Sequence, residues 1–341
     1  MKAKIAVLGY YGKGNLGDER IRSTFVKALS NHDLTFFLAW SDLKFRIDEI
    51  NQHDALIIGG GGLIIRNANA HCQWLEKVAI PILTLGISIN SNSRDNRKFL
   101  RLLCKKSVFF NVRDRYSLDV AKLYCTIEPM LSADLTFAFP FAPLPSSEVK
   151  PHRIGISLRK WHEFKADQYS PKFHRQRLWK HHLAKINVEY PFKKFYVESA
   201  LVQTLVQLNY PTRVLIMDPE HDLTFGGCSE ILSESTIVDE FGKCDIIIAM
   251  RLHACIFAAQ FGIPFIALNY MPKVGAFCNS INHPYCLDLN DLNGIPGQIE
   301  QVFQNYEDIR TSLLNSVQAA TLSTNRVFKE ALNHIANLSV Q

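Results

Sequence analysis

The chain has 341 residues, 47% of them hydrophobic and 21% charged, with a formal net charge of +6. At roughly 150 residues per domain this length suggests about two domains with cores of their own, and the composition excludes a disordered chain. The longest nearly uncharged apolar run, residues 55–65, is broken by four glycines and falls far short of the roughly 20 residues that cross a bilayer. Residues 1–9 run from two lysines straight into a strand, without the apolar core of a secretory signal.

In chain order, residues 4–9, 34–39, 55–59, 81–87 and 107–112 are β-branched or aliphatic runs that predict strands. Residues 21–29, 96–105 and 116–123 between them carry helical periodicity, so the first half reads as a βαβ alternation with a parallel sheet. Residues 139–152 hold Pro140, Pro143, Pro145 and Pro151 with Ser146-Ser147, which continue neither element and predict a linker. The alternation then restarts, with strands predicted at 153–158, 213–217, 236–238, 245–249 and 264–268 and a helix at 197–208. Residues 292–338 predict one or two amphipathic helices. The expected architecture is α/β and GT-B-like: two Rossmann-like domains whose parallel sheets face a central cleft. Expected boundaries are 1–140, a Pro-rich linker at 141–152, 153–290, and C-terminal helices at 291–341 packing back across the junction.

Eight cysteines (Cys72, Cys104, Cys125, Cys228, Cys244, Cys255, Cys278 and Cys286) lack any Cys-x-x-Cys pair and sit in apolar surroundings, so they are expected to be reduced core residues of a cytosolic protein. Residues 150–194 carry twelve Lys or Arg against three acidic residues, interleaved with Trp161, Phe164, Phe173, Trp179, Tyr190 and Phe192. That excess suits an anionic surface, and peripheral contact with the inner face of a membrane is expected from it. A solvated surface loop explains it equally well. No nucleic-acid partner is expected.

The first strand ends in Gly9-Tyr10-Tyr11-Gly12-Lys13-Gly14-Asn15-Leu16-Gly17-Asp18-Glu19, which contains a G-x-G-x-x-G spacing. Asp18 and Glu19 then place carboxylates where a dinucleotide pyrophosphate would sit, which argues against NAD. Asn15 and Asp18 are candidates to line the cleft and bond an acceptor hydroxyl, although acidic residues in a first helical turn also suit the helix dipole. Gly59-Gly60-Gly61-Gly62 at the end of the third strand lets a ligand, or a packed helix, approach the backbone closely, and Gly60 and Gly61 join the candidate site. Arg113-Asp114 ends the fifth strand, with Arg113 either facing the cleft or paired with Asp114.

In the second half a buried strand runs directly into Met250-Arg251-Leu252-His253 and a helix that stops at Gly262. Ligands of open α/β sheets bind at such strand ends. Cations there oppose the helix dipole, so stability alone does not select them. Lys273 arrives from the next strand and Arg159 from the first strand of this half. Together these groups suit a small, highly charged donor such as a phosphorylated carboxylic acid. Residues two apart in a helical turn project about 200° apart, so Arg251 and His253 share one ligand only if Arg251 lies at or before the helix start. No metal-ligand cluster or Ser/His/Asp triad stands out.

Taken in order, Gly9-Tyr10-Tyr11-Gly12, Asn15-Leu16-Gly17-Asp18-Glu19, the glycine run, Arg113-Asp114, Met250-Arg251-Leu252-His253 and Pro272-Lys273-Val274 resemble the polysaccharide pyruvyl transferase family, most closely its bacterial cell-wall type. The resemblance covers residues 4–135 and 153–280 and departs from the family pattern at 160–194. It implies transfer of pyruvate from phosphoenolpyruvate, as donor substrate and without a cofactor, to a glycan or lipid-linked saccharide as a ketal. The first domain would then be the acceptor side and the second the donor side. By the same resemblance Arg251 and His253 hold the donor and act in catalysis, Lys273 binds its phosphate, and Asn15, Asp18, Arg113 and Arg159 are further cleft residues. The competing expectations are a GT-B glycosyltransferase using a nucleotide sugar, and a non-catalytic glycan-binding protein.

Overall fold

The structure, a computed structural model, describes residues 2–64, 67–145, 153–159, 210–222, 229–288 and 294–338. The expected helix at 197–208, the basic stretch beyond Arg159, Cys228 and the second half of the linker lie outside the described residues.

Apolar runs, buried on both faces in the central strands and partly exposed at the two edges, build the first sheet: β1 (Lys4–Gly9), β2 (Asp33–Leu38), β3 (Ala55–Ile64), β4 (Ile82–Ile89), β5 (Ser107–Val112) and β6 (Met130–Leu131). All neighbours are parallel, in the order β2-β1-β3-β4-β5-β6. Helices α1 (Leu16–Ala28), α2 (Ser41–Phe45), α3 (Ile47–Ile50), α4 (Cys72–Glu76), α5 (Arg94–Lys106) and α6 (Arg115–Lys122) connect them.

The second sheet is also parallel and contains β7 (Ile154–Ser157), β8 (Thr212–Ile216), β9 (Ser229–Ile231), β10 (Ile246–Ala249), β11 (Phe265–Asn269) and β12 (Cys286–Asp288), in the order β12-β11-β10-β7-β8-β9. Its described helices are α7 (Ile237–Gly242), α8 (Leu252–Phe261) and α9 (Pro272–Ser280), followed by α10 (Ile295–Gln304) and the 33-residue α11 (Tyr306–Leu338). The strand expected at 236–238 is instead the start of α7. Ser233 and Thr236 exchange backbone and hydroxyl hydrogen bonds that turn the chain into a helix, and β9 lies earlier.

Two seams hold the halves together. Helix α11 contributes Ile309, Leu313 and Val317 to the second core and Val327, Phe328, Ala331 and Ile335 to the first. At the linker, Phe141 stacks on Phe261 at 4.7 Å, and the buried Arg20 of α1 donates to the Phe139 carbonyl at 2.7 Å while its guanidinium lies 4.1 Å over the Phe141 ring. Of the seven described cysteines, five are buried and none is in a disulfide. Among the described residues no helix is long and apolar enough to cross a membrane.

Strand order reverses between β1 and β3 in one sheet and between β7 and β10 in the other. Each reversal opens a crevice outside the carboxyl ends of the strands. The residues leaving those ends, Tyr10 to Asn15 in one half and Arg159 and Arg251 in the other, belong to one interdomain junction.

Candidate active site

At the junction, the N-terminus of α1 is pinned to the second sheet. The Leu16 amide donates to the Met217 carbonyl at 2.8 Å, and Asn15 Nδ2 donates to Asp218 Oδ2 at 3.3 Å. Asn15 Oδ1 meanwhile caps α1 by accepting from the amides of Gly17 and Asp18. Both ends of this side chain thus serve the junction, one as a cap and one as an interdomain bridge.

The glycine-rich loop before it makes use of its own carboxylate. Glu19 Oε1 accepts from the amides of Gly12 at 2.6 Å and Lys13 at 3.2 Å. A side chain occupies the amides that a dinucleotide fingerprint would offer to a pyrophosphate. The first half of the run at Gly59 to Gly62 is in close packing contact with α1. A Cβ on Gly59 would lie 2.7 Å from the Phe25 ring and one on Gly60 2.3 Å from Ile21, so these glycines seat α1 on the sheet. At Gly61, with φ +84°, the nearest atom would be Asp18 Oδ1 at 3.2 Å, and this glycine alone borders the charged cluster.

Arg113 does not pair with Asp114. Its guanidinium donates to Asp134 Oδ2 at 2.6 Å and to Ser88 Oγ at 2.8 Å, with both partners of the ion pair almost fully buried, whereas Asp114 caps α6 through the Ser117 amide. Across the junction, the buried His253 Nε2 lies 3.7 Å from the same Asp134 Oδ2 and has no partner within hydrogen-bond distance among the described residues. The other side of the imidazole rests on Gly17, where a Cβ would come within 1.8 Å of Nδ1. Burial alone would lift the Asp134 carboxyl, but His253 and Arg113 beside it hold it well below the usual range. Asp18 is shifted the other way, because its burial outweighs the attraction of His253, Lys273 and Arg113 and raises its pKa. Its carboxylate makes no hydrogen bond with a described residue.

Arg251 is the N-cap of α8, with extended backbone at φ −73° and ψ 124°, so it does precede the helix as the geometry of a shared ligand requires. Its side chain, however, is directed at β8's carboxyl end. Nε donates to Asp222 Oδ1 at 2.5 Å and Nη2 pairs with Asp218 Oδ2 at 3.1 Å, leaving the residue 8% exposed. Two carboxylates thus neutralise a cation that the helix dipole would otherwise disfavour. Asp222 is raised by burial despite Arg251, while Asp218, less enclosed and also bonded to His221, is lowered. Arg251 and His253 therefore point into different halves of the junction.

Tyr270 registers the sum of the cations. Burial would raise its phenol, yet the charges of Lys273, Arg251 and Arg159, with a hydrogen bond from Arg159, pull it below the ordinary tyrosine value. Lys273 lies in the first turn of α9, lines an adjoining cleft with Arg113 and Asp134, and makes no ion pair with a described residue. Among the described residues no group of three or more His, Cys, Asp or Glu is placed to hold a metal ion.

The sequence reading missed Asp134, Asp218, Asp222, Ser88 and Tyr270. All but Asp222 follow or end a strand's carboxyl end, the position that singled out Arg113 and Arg251. Asp134 was hidden because β6 is two residues long, too short for a periodicity signal.

Comparison with known proteins gives three kinds of likeness. The family model described as polysaccharide pyruvyl transferase matches residues 15–271. The amylovoran biosynthesis protein AmsJ of Erwinia amylovora is 27% identical over 111 residues, which are 29% of this chain and 27% of that protein. Among solved structures, Anabaena Alr3699/HepE in complex with UDP and glucose superposes with a TM-score of 0.59 at 9% identity, covering 98% of this chain and 100% of that one. The S. aureus MnaA–UDP structure does so with a TM-score of 0.57 at 11% identity, covering 100% and 98%. At such identities the two structures establish the two-domain fold alone.

Proposed function

Because the chain belongs to the polysaccharide pyruvyl transferase family, we propose that it transfers the pyruvyl group of phosphoenolpyruvate to a saccharide of a polysaccharide, oligosaccharide or glycolipid precursor as a ketal. The observation that supports this reading is the convergence of Arg159, Lys273 and Arg251 on the buried Tyr270, whose phenol they pull below its ordinary value, with Lys273 and His253 also close enough to act on Asp18. A phosphate of about −1.5 to −2 charge plus a carboxylate matches that potential. Lys273 and Arg159 are the donor contacts, and Arg251, held by Asp218 and Asp222, supplies field more than a free fork.

The transfer needs a proton on the enol methylene carbon, attack of one sugar hydroxyl on the adjacent carbon, departure of phosphate, and closure by a second hydroxyl whose proton leaves with the released hydrogen phosphate. His253 delivers the proton, with Asp134 stabilising the imidazolium and Arg113 fixing Asp134. Asp18, whose raised pKa makes it a better base than an ordinary aspartate, takes the proton of the attacking hydroxyl. Glu19 closes the glycine-loop amides, which supports a donor bound without a nucleotide. The chain works from the cytoplasmic side on this reading.

The test is incubation with phosphoenolpyruvate labelled in its pyruvyl carbons and a panel of free and lipid-linked saccharides, with phosphate release measured in parallel. Stoichiometric phosphate and an acid-labile labelled ketal are expected. Calorimetric binding of UDP-sugars with none of phosphoenolpyruvate would overturn the proposal in favour of nucleotide-sugar glycosyl transfer, the competing use of this fold.

A further inference from the structure

The junction contains far more room than a three-carbon donor needs. A cleft of about 1150 Å³ opens between the ends of β4 to β6, helix α9 and the middle of α11, larger than the ~300–1,000 Å³ of a usual small-ligand site. Its inner end is charged, formed by Arg113, Asp134 and Lys273. Its outer wall has a different chemistry. There α11 presents Thr311, Ser312 and Asn315 at helical spacing, continued by Ser316, which donates to the Ile281 carbonyl at 3.4 Å, and Ser323, which accepts from the Ala133 amide at 3.2 Å, while Ile309, Leu313 and Val317 of the same helix face the second core.

Thr311, Ser312 and Asn315 are exposed and make no hydrogen bond with a described residue. Opposite them the half-buried Phe277, 6.3 Å from the ring of Phe137, lends the cleft an aromatic surface. The only charged side chain that α11 adds is Asp308. Arg115 at the rim is drawn to Asp119 at 3.3 Å. A wall of uncharged hydroxyl and amide groups facing a ring fits a molecule with many hydroxyls and apolar C–H faces, and offers little to a polyanion.

We propose that this cleft is a binding site for a neutral oligosaccharide, with the α11 stripe as its recognition wall and the Lys273 end directed at the donor. The assignment rests on the pyruvyl-transfer reading for its role as the acceptor site, but the binding itself does not. It moves acceptor recognition from the glycine loops of the first domain to the C-terminal helix.

The experiment uses saturation-transfer NMR on the full chain with neutral malto-, cello- and galacto-oligosaccharides of two to six units, alongside calorimetry with phosphoenolpyruvate. Asn315→Trp and Ser312→Trp fill the cleft from exposed helix positions that the fold tolerates. At least one oligosaccharide series is expected to bind the wild type, and both variants to weaken it by about ten-fold or more while leaving phosphoenolpyruvate binding unchanged. Equal oligosaccharide binding by wild type and variants, or none by the wild type, overturns the site. Loss of donor binding in the wild type, with oligosaccharide binding still sensitive to both substitutions, overturns the transfer reading and leaves the saccharide site standing.

Discussion

The imidazole of His253 lies on the backbone of Gly17, so close that no side chain fits between them. The two residues come from opposite domains, and the contact depends on α1 being pinned to Met217 and Asp218. On the proposed mechanism Gly17 is therefore a spacer for His253. Gly17→Ala is expected to leave each domain folded but displace the ring, reducing turnover by about 10²-fold, the usual cost of a misplacement near 1 Å. His253→Ala is expected to reduce turnover by roughly 10² to 10⁴ with donor affinity nearly intact. Steady-state kinetics with circular dichroism as a folding control checks both. A folded His253→Ala protein with wild-type turnover would leave His253 a packing residue.

Asp18 is held at a cost. Because its pKa is raised in the folded state, the native protein binds the proton more tightly than the unfolded chain, and ionisation erodes stability as pH rises from about 3.9 through the folded value. Asp18→Asn is thus expected to melt higher than the wild type at pH 7, with the gain vanishing toward pH 4, while pyruvyl transfer is lost. Thermal melts across that range, read beside activity, decide it. A melting temperature lowered at pH 7 would contradict the burial argument.

For Asp134 the sign is reversed. Its folded pKa is depressed by His253 and Arg113, so its stabilisation is complete above the unfolded value of about 3.9 and is lost as pH falls toward the folded one. Asp134→Asn leaves Arg113 buried without its carboxylate and is expected to cost about 3–5 kcal/mol at pH 7. Denaturant unfolding at pH 7 and pH 3 should show the deficit shrinking in acid.

Arg251 and Lys273 are expected to separate stability from binding. Arg251→Ala strands Asp218 and Asp222 and is expected to cost about 3–5 kcal/mol. Lys273→Ala breaks no ion pair with a described residue, so its melting temperature should stay within a degree or two while phosphoenolpyruvate affinity falls about 10- to 150-fold. Calorimetry and melts on the two variants test the division. Equal loss of donor affinity without destabilisation in Arg251→Ala would restore the fork to the donor.

What the sequence alone determined is the succession of strands and the residues that leave their carboxyl ends. Burial on both faces writes β1, β3, β4, β10 and β11 as runs rich in aliphatic residues and almost free of charge, and a parallel sheet puts the following residue at a crevice whatever the rest of the chain does. Arg113, Arg159, Arg251, His253 and Lys273 were legible for that reason. Short elements such as β6 and β9 were not, because two or three residues carry no period, and Thr236 read as a strand because its hydroxyl cap pairs with Ser233 only once the chain has turned. Only the tertiary structure decided which charges meet. Asp134 lies 119 residues before His253, and Asp18 and Gly17 more than 200 before it, yet packing places them around one imidazole. The fork of Arg251 turned toward Asp218 and Asp222 for the same reason: a buried cation is stable only where carboxylates from another strand are brought to it, and that is a property of the folded junction.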